Sequence, residues 1–251
     1  MADKANIVTY ESSKEKGART NFYNLFKSCP IPEEQTLSNL GLFLNSKNLS
    51  RILFFDHLYR KIVDVQGTVM EFGVRWGQNL SLFSALRGIY EPFNRHRKII
   101  GFDTFAGFPS IHEKDGHSPM MKEGQLSLTD NYQDFLSKIL ECQENDNPLG
   151  HIQKFELCVG DATQTIRHYL EKHPETIVAL AYFDLDLYEP TKACLESIRP
   201  RLVKGSVLGF DELNDPDSPG ETIALKEVFG LENIRLRRYR YASRVSYFMV
   251  E

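Results

Sequence analysis

Thr68-Val-Met-Glu-Phe-Gly-Val-Arg-Trp-Gly77 decides the fold. Thr68, Val69 and Met70 read as a short apolar strand, and Glu71 stands where that strand would end. Gly73 and Gly77 bracket a tight turn, and Asn79–Leu86 follows with the spacing of an amphipathic helix. A strand, a glycine turn and a helix N-terminus form the mouth of an open α/β sheet, where ligands bind. Glycine at such a turn lets the backbone approach a ligand closely, because no Cβ intervenes.

The turn has the form Gly73-x-x-x-Gly77, so the G-x-G-x-x-G fingerprint of dinucleotide binding is absent. Glu71 would repel a pyrophosphate. It suits a ligand with a cationic end, such as the amine of an amino-acid moiety. S-adenosylmethionine is therefore favoured over NAD.

Outward from this unit, Lys98-Ile-Ile-Gly-Phe-Asp103 is the expected second strand of a βαβ unit. A carboxylate at that strand end, here Asp103, typically takes the ribose hydroxyls of an adenosine-containing cofactor. It can also cap the turn Thr104–Pro109. Lys154–Gly160 predicts a third strand. Asp161 after it is placed for an adenine amine and equally for the N-cap of a helix running to Lys172. Pro109–Gly124, with His112 and His117, reads as a long insertion that closes over the site.

Ile177–Phe183 is a continuous apolar run, the pattern of a strand buried on both faces of a parallel sheet. It ends in Asp184-Leu-Asp186, and a helix over Glu189–Ile198 follows. Ser206–Phe210 then ends in Asp211-Glu212. Two neighbouring parallel strands would thus deliver carboxylates to one sheet edge, where they repel unless a cation neutralises them. Oxygen-only ligands select Mg²⁺, Mn²⁺ or Ca²⁺ over zinc. Asp186 is two residues beyond Asp184 and falls outside the direct ligand set.

The N-terminal part predicts helices over 21–64, broken at Cys29-Pro-Ile-Pro32, and packed over the sheet as a cap. Residues 1 to about 20 are polar and expected to be mobile. His57 reads as a packed or surface histidine.

The 251 residues, 41% hydrophobic and 25% charged, fit one large α/β domain with an N-terminal extension. A net charge of −4 without a long basic block disfavours a nucleic-acid partner, Arg235–Arg240 being read as a solvated strand. Cys29, Cys142, Cys158 and Cys194 form no C-x-x-C pair, so neither a zinc site nor a disulfide framework is expected. The polar N-terminus shows no signal peptide and no apolar run reaches membrane length. A cytoplasmic protein with reduced thiols and no membrane partner is the expectation.

Glu71–Gly77, Gly101-Phe-Asp-Thr-Phe-Ala-Gly-Phe-Pro109, Asp184-Leu-Asp-Leu-Tyr-Glu-Pro-Thr191 and Asp211-Glu212 together resemble the macrocin-type sugar O-methyltransferases of antibiotic pathways. Within that family the likeness is to enzymes acting on nucleotide-linked deoxysugars. It covers roughly residues 65–250. The resemblance implies a Rossmann-like class I methyltransferase sheet, mostly parallel with an antiparallel last strand, and helices on both faces. The expected division is an extension and helical cap over 1–65 and a methyltransferase domain over 66–251.

It further implies S-adenosylmethionine and Mg²⁺ as cofactors, a nucleotide-sugar or glycoside substrate, and a homo-oligomer. Glu71, Gly73, Val74, Gly77, Asn79, Asp103, Thr104, Phe105, Asp161 and Ala162 are the expected cofactor residues. Asp184, Asp211 and Glu212 are the expected metal ligands. Asp184 is the first candidate for the general base and His117 the second. The family usually carries two aspartates at Asp211-Glu212, and its Trp-Arg order is reversed here as Arg75-Trp76. A catechol-type methyltransferase would resemble this chain in its metal logic, but places a lysine where Leu187 stands. A non-catalytic nucleotide-binding domain is the alternative from another class.

Overall fold

The structure is a computed structural model and describes residues 10–251. Seven strands form one sheet: β1 (Thr68–Phe72), β2 (Ile99–Asp103), β3 (Phe155–Val159), β4 (Val178–Phe183), β5 (Leu202–Phe210), β6 (Arg237–Arg238) and β7 (Ser246–Met249). Their order is β3-β2-β1-β4-β5-β7-β6. The first five run parallel, and β7 lies antiparallel to β5. Every residue of β1 and β4 is buried, as a strand covered by helices on both faces requires. The expected mostly parallel sheet with an antiparallel last strand is the observed one.

Chain order reverses between β1 and β4, so the ligand crevice of this topology opens there. The crossovers are α4 (Gln78–Tyr90) after β1, α6 (Ala162–Lys172) after β3 and α7 (Tyr188–Ile198) after β4. A further helix, α5 (Tyr132–Asp146), precedes β3, and α8 (Gly220–Phe229) follows β5. Two apolar layers sandwich the sheet. One unites Phe83 of α4 with Tyr182 and Val207 of the strands. The other unites Phe72, Phe183 and Phe210 with Leu195 and Leu225 of α7 and α8.

The N-terminal helices divide into two kinds. In α3 (Ser46–Ile62), Phe54, Phe55, Leu58, Tyr59 and Ile62 are buried, and this face packs directly on the sheet. By contrast α1 (Ser13–Lys27), α2 (Glu33–Thr36) and the 3₁₀ segment Leu37–Phe43 contain no buried residue. Within the span 21–64 expected to be helical, Leu37–Phe43 is a 3₁₀ segment, kinked at Asn39. Of the polar stretch 1–20, residues 13–20 are helical. Ser12 caps the N-terminus of α1 and Glu15 reaches back to the Ser12 backbone, a reciprocal capping box. Residues 1–9 lie outside the described residues.

The insertion after Pro109 is tied down. Within it Glu113–Asp115 forms a 3₁₀ turn. The buried Asp115 accepts hydrogen bonds from the His112 and Tyr188 backbone amides at 2.7 and 2.6 Å. No helix among the described residues is long and apolar enough to cross a membrane.

Candidate active site at the switch point

A cavity of about 310 Å³ lies at the C-terminal ends of the parallel strands, within the range of small-molecule sites. One half is lined by Gly73, Asp103, Thr104, Asp161 and Ala162. The other half is lined by Asp184, Asp186, Asp211 and Glu212, with Arg244 at its edge. Five of the expected cofactor residues and all three expected metal ligands therefore share one cavity.

Asp103 is held by the backbone. Its Oδ2 accepts from the Arg75 amide at 2.7 Å and its Oδ1 from the Phe105 amide at 2.6 Å. Arg75 and Phe105 both carry left-handed backbone, with φ of 48° and 54°, the kind of local strain that clusters at functional sites. Burial raises the Asp103 pKa, and the backbone amides work against that rise. Asp161 caps α6 through the Thr163 amide at 2.8 Å and lines the cavity as well.

The other expected cofactor residues stand behind the cavity wall. Glu71 is an interior residue of β1, fully buried, with Oε1 bonded to Asn79 Nδ2 at 2.7 Å and Oε2 unpartnered. Burial pushes its carboxyl up to about 8, against the Asn79 hydrogen bond and the charge of Arg51. Val74 and Phe105 belong to the apolar core. Gly77 begins α4 with φ 77°, and a Cβ there would meet Leu136 of α5 at 2.3 Å. The positive φ and the close approach of α5 both favour glycine there. His117 faces a separate shallow pocket beside Ile111 and Met121. It does not line the cavity that holds Asp184.

At the acidic edge, Asp184 and Asp211 follow β4 and β5 directly, and the Asp184 and Asp211 amides continue the sheet hydrogen bonding. A side chain with no local sequence signal for this position lies against both. Arg51 of α3 donates from Nη1 to Asp211 Oδ1 at 2.6 Å and from Nη2 to Asp184 Oδ2 at 2.9 Å. Its Nε donates to Asn79 Oδ1 at 3.3 Å. Tyr182 also donates to Asp211 Oδ1, at 2.7 Å. Burial works against the charge on Asp211, but Arg51 and the Tyr182 hydroxyl outweigh it and hold its pKa down. Burial and the neighbouring Asp211 push Asp184 well up.

Glu212 pairs through Oε2 with Arg244, while its buried Oε1 has no partner. Glu221 in the first turn of α8 is fully buried. Its Oε1 accepts from the Leu185 amide at 2.9 Å, and its Oε2 is likewise unpartnered. Asp186 holds left-handed backbone (φ 62°) and lines the cavity.

By donor chemistry this set suits a hard cation: all-oxygen, anionic, with two orphaned buried carboxylate oxygens, Glu212 Oε1 and Glu221 Oε2. The three expected ligands, Asp184, Asp211 and Glu212, line this edge together. Among the described residues no group of three or more His, Cys, Asp or Glu is arranged to hold a metal ion. The cation bridging Asp184 and Asp211 is Arg51.

No family model matches the chain, and no curated protein matches it. Solved structures do. The crystal structure of CalS11, a calicheamicin methyltransferase, is 42% identical, covers 99% of this chain and 97% of its own, and superposes with a TM-score of 0.94. The apo structure of CalS11, a TDP-rhamnose 3′-O-methyltransferase in calicheamicin biosynthesis, gives 40%, 98%, 99% and 0.85. The O-methyltransferase NovP, at 18% identity, 80% and 79% coverage and a TM-score of 0.59, shares the fold.

Proposed function

This chain belongs to the methyltransferase family of CalS11. On that premise we propose that it transfers a methyl group from S-adenosylmethionine to a hydroxyl of a nucleotide-linked deoxysugar. The setting proposed is the biosynthesis of an antibiotic-type natural product. The observation that carries this reading is the two-sided cavity. Asp103 and Asp161 line one half, and Asp184, Asp186 and Asp211 line the other.

In this reading bound S-adenosylmethionine supplies an electrophilic methyl, and Mg²⁺ at Asp184, Asp211 and Glu212 supplies Lewis acidity. Asp103 receives the ribose hydroxyls, its orientation fixed by two backbone amides. Asp161 faces the adenine end. Gly73 leaves the strand-end backbone open to the cofactor. The sugar oxygen bonds to the methyl carbon, the carbon–sulfur electron pair stays on sulfur, and the hydroxyl proton passes to a carboxylate.

Asp184 is the base first expected. Arg51 already draws on its charge, so Asp186, which lines the same cavity and forms no ion pair among the described residues, is the second carboxylate in that role. General-base help of this kind is worth roughly 10²–10⁴-fold. Alignment of acceptor and methyl within the cavity contributes more, up to about 7–11 kcal/mol in well-oriented systems.

The test is incubation with S-adenosylmethionine and a panel of dTDP-linked deoxysugars, UDP-glucose and catechol, read by mass spectrometry. Methylation of a dTDP-deoxysugar is expected. Methylation of catechol alone, or no turnover by folded protein that binds the cofactor, would remove the sugar reading.

A further inference from the structure

Repulsion between strand-end carboxylates demands a cation, and the structure supplies one from within the chain. Arg51 bonds both carboxylates at 2.6 and 2.9 Å, with its side chain 28% exposed. Its guanidinium also lies over the Phe55 ring, 5.4 Å from the centroid. The backbone beneath it is fixed, because Phe54, Phe55 and Leu58 of the same helix are buried in the core. The side chain above is long and partly solvated, so it can leave without unfolding α3.

A divalent ion at this edge needs lone pairs on Asp184 and Asp211. One oxygen of each carboxylate, Asp184 Oδ2 and Asp211 Oδ1, is already engaged by Arg51. Two cations also repel at such separations, strongly in a partly buried site. Arg244 meets Glu212 through Oε2 and lies 3.4 Å from Asp215, but does not satisfy the whole edge. Glu212 Oε1 and Glu221 Oε2 are buried without partners, and such groups are costly unless an ion or donor reaches them.

We propose that Arg51 is the resident counter-cation of this edge, and that Arg51 and a divalent ion exclude one another at Asp184 and Asp211. The ion enters only as the Arg51 side chain swings away. This rests on the reading that Asp184, Asp211 and Glu212 hold a divalent ion. The arrangement keeps the edge neutralised while the ion is absent. It also ties the acidic edge to the interior of β1, because Arg51 bonds Asn79, which bonds Glu71.

Mn²⁺ is the probe, its free concentration followed by electron paramagnetic resonance during titration of wild type, Arg51→Gln, Arg51→Lys and Asp184→Asn. Arg51→Gln removes the competitor, so its Mn²⁺ affinity is expected to rise roughly ten- to a hundredfold, the worth of a lost charge-assisted pair. Arg51→Lys keeps a charge but cannot bridge two carboxylates as a guanidinium does; a smaller rise is expected. It also serves if Arg51→Gln does not fold. Asp184→Asn should abolish binding.

Mn²⁺ affinity that is unchanged or weaker in both Arg51 variants, yet lost in Asp184→Asn, would overturn the exclusion and leave the metal reading standing. No Mn²⁺ binding by wild type or by either Arg51 variant would remove the metal reading, and the exclusion with it.

Discussion

Gly73 and Asp184 meet where the sheet reverses its order: a Cβ on Gly73 would stand 1.9 Å from the carbonyl oxygen of Asp184. The two residues follow β1 and β4, parallel neighbours on either side of the switch point. Gly73 also carries φ 89°, which side chains rarely adopt. The clashing atom is backbone and cannot rotate aside. Gly73→Ala is therefore expected to destabilise the protein by more than the 1–3 kcal/mol, roughly, of backbone strain alone. It should also displace Asp184. Urea unfolding is the check, and a stability within about 0.5 kcal/mol of wild type, the range of neutral surface changes, would show that the strand ends are not locked together.

Glu71 gives a pH dependence with a definite sign. Its carboxyl is raised from 4.5 to about 8 in the folded chain, burial being the largest cause. The folded state thus holds a proton that the unfolded state releases above 4.5. The stability associated with that proton is full below pH 4.5 and falls as pH rises toward 8, with a slope of at most about 1.4 kcal/mol per pH unit. Glu71→Gln keeps the shape and cannot ionise. Its stability, measured by denaturant unfolding across that window, is expected to vary less with pH than wild type. Parallel curves would remove Glu71 from the titration.

The strands were readable because burial on both faces leaves continuous apolar runs such as Val178–Phe183, and because strand ends carry their carboxylates with them. Asp103, Asp184 and Asp211 follow from that rule. Arg51 does not, since its partners lie 160 and 133 residues away in sequence. A helical arginine carries no local sign of such a pairing. Gly77 shows a second kind of distant neighbour: the side chain closest to its missing Cβ is Leu136 of α5, which its own stretch of sequence does not announce. The helix over Ser13–Lys27 did leave a signal, the Ser12-x-x-Glu15 capping pattern. Its polar composition masked that signal.

Asp103 supports two functions that one substitution separates from none. Its oxygens orient the Arg75 and Phe105 amides in two left-handed turns, and it lines the cavity. Asp103→Ala is expected to weaken S-adenosylmethionine binding at least tenfold, given about 1.5–3 kcal/mol for a hydrogen bond to a charged group. It should also lower stability as the turns lose their acceptor. Asp103→Asn retains one acceptor position and should fall between. Calorimetric titration of the cofactor decides the matter: a folded Asp103→Ala with wild-type affinity would leave Asp103 as a turn cap only.

Arg87 tests the scaffold behind the site. Its Nη2 donates to both oxygens of Glu144 at 2.7 and 2.8 Å, and its Nη1 to the Lys154 carbonyl at 3.0 Å. Lys154 Nζ pairs with the same carboxylate at 2.6 Å. All three side chains are at most 3% exposed, and the trio fastens α4, α5 and the start of β3. None of them lines the cavity. Arg87→Met leaves Glu144 paired with Lys154 but takes two charge-assisted hydrogen bonds from the carboxylate and one from the Lys154 carbonyl, so it is expected to cost about 1.5–3 kcal/mol. Cofactor affinity of the folded fraction should not change. Glu144→Leu alone leaves two cations facing an apolar side chain and should also be costly. The double variant Arg87→Met/Glu144→Leu removes the pair together, and its loss should fall short of the sum of the singles by at least about 1 kcal/mol, as interacting groups do. Thermal and urea unfolding of the four proteins measures that difference, and additive losses would mean that the buried charges do not act as one network.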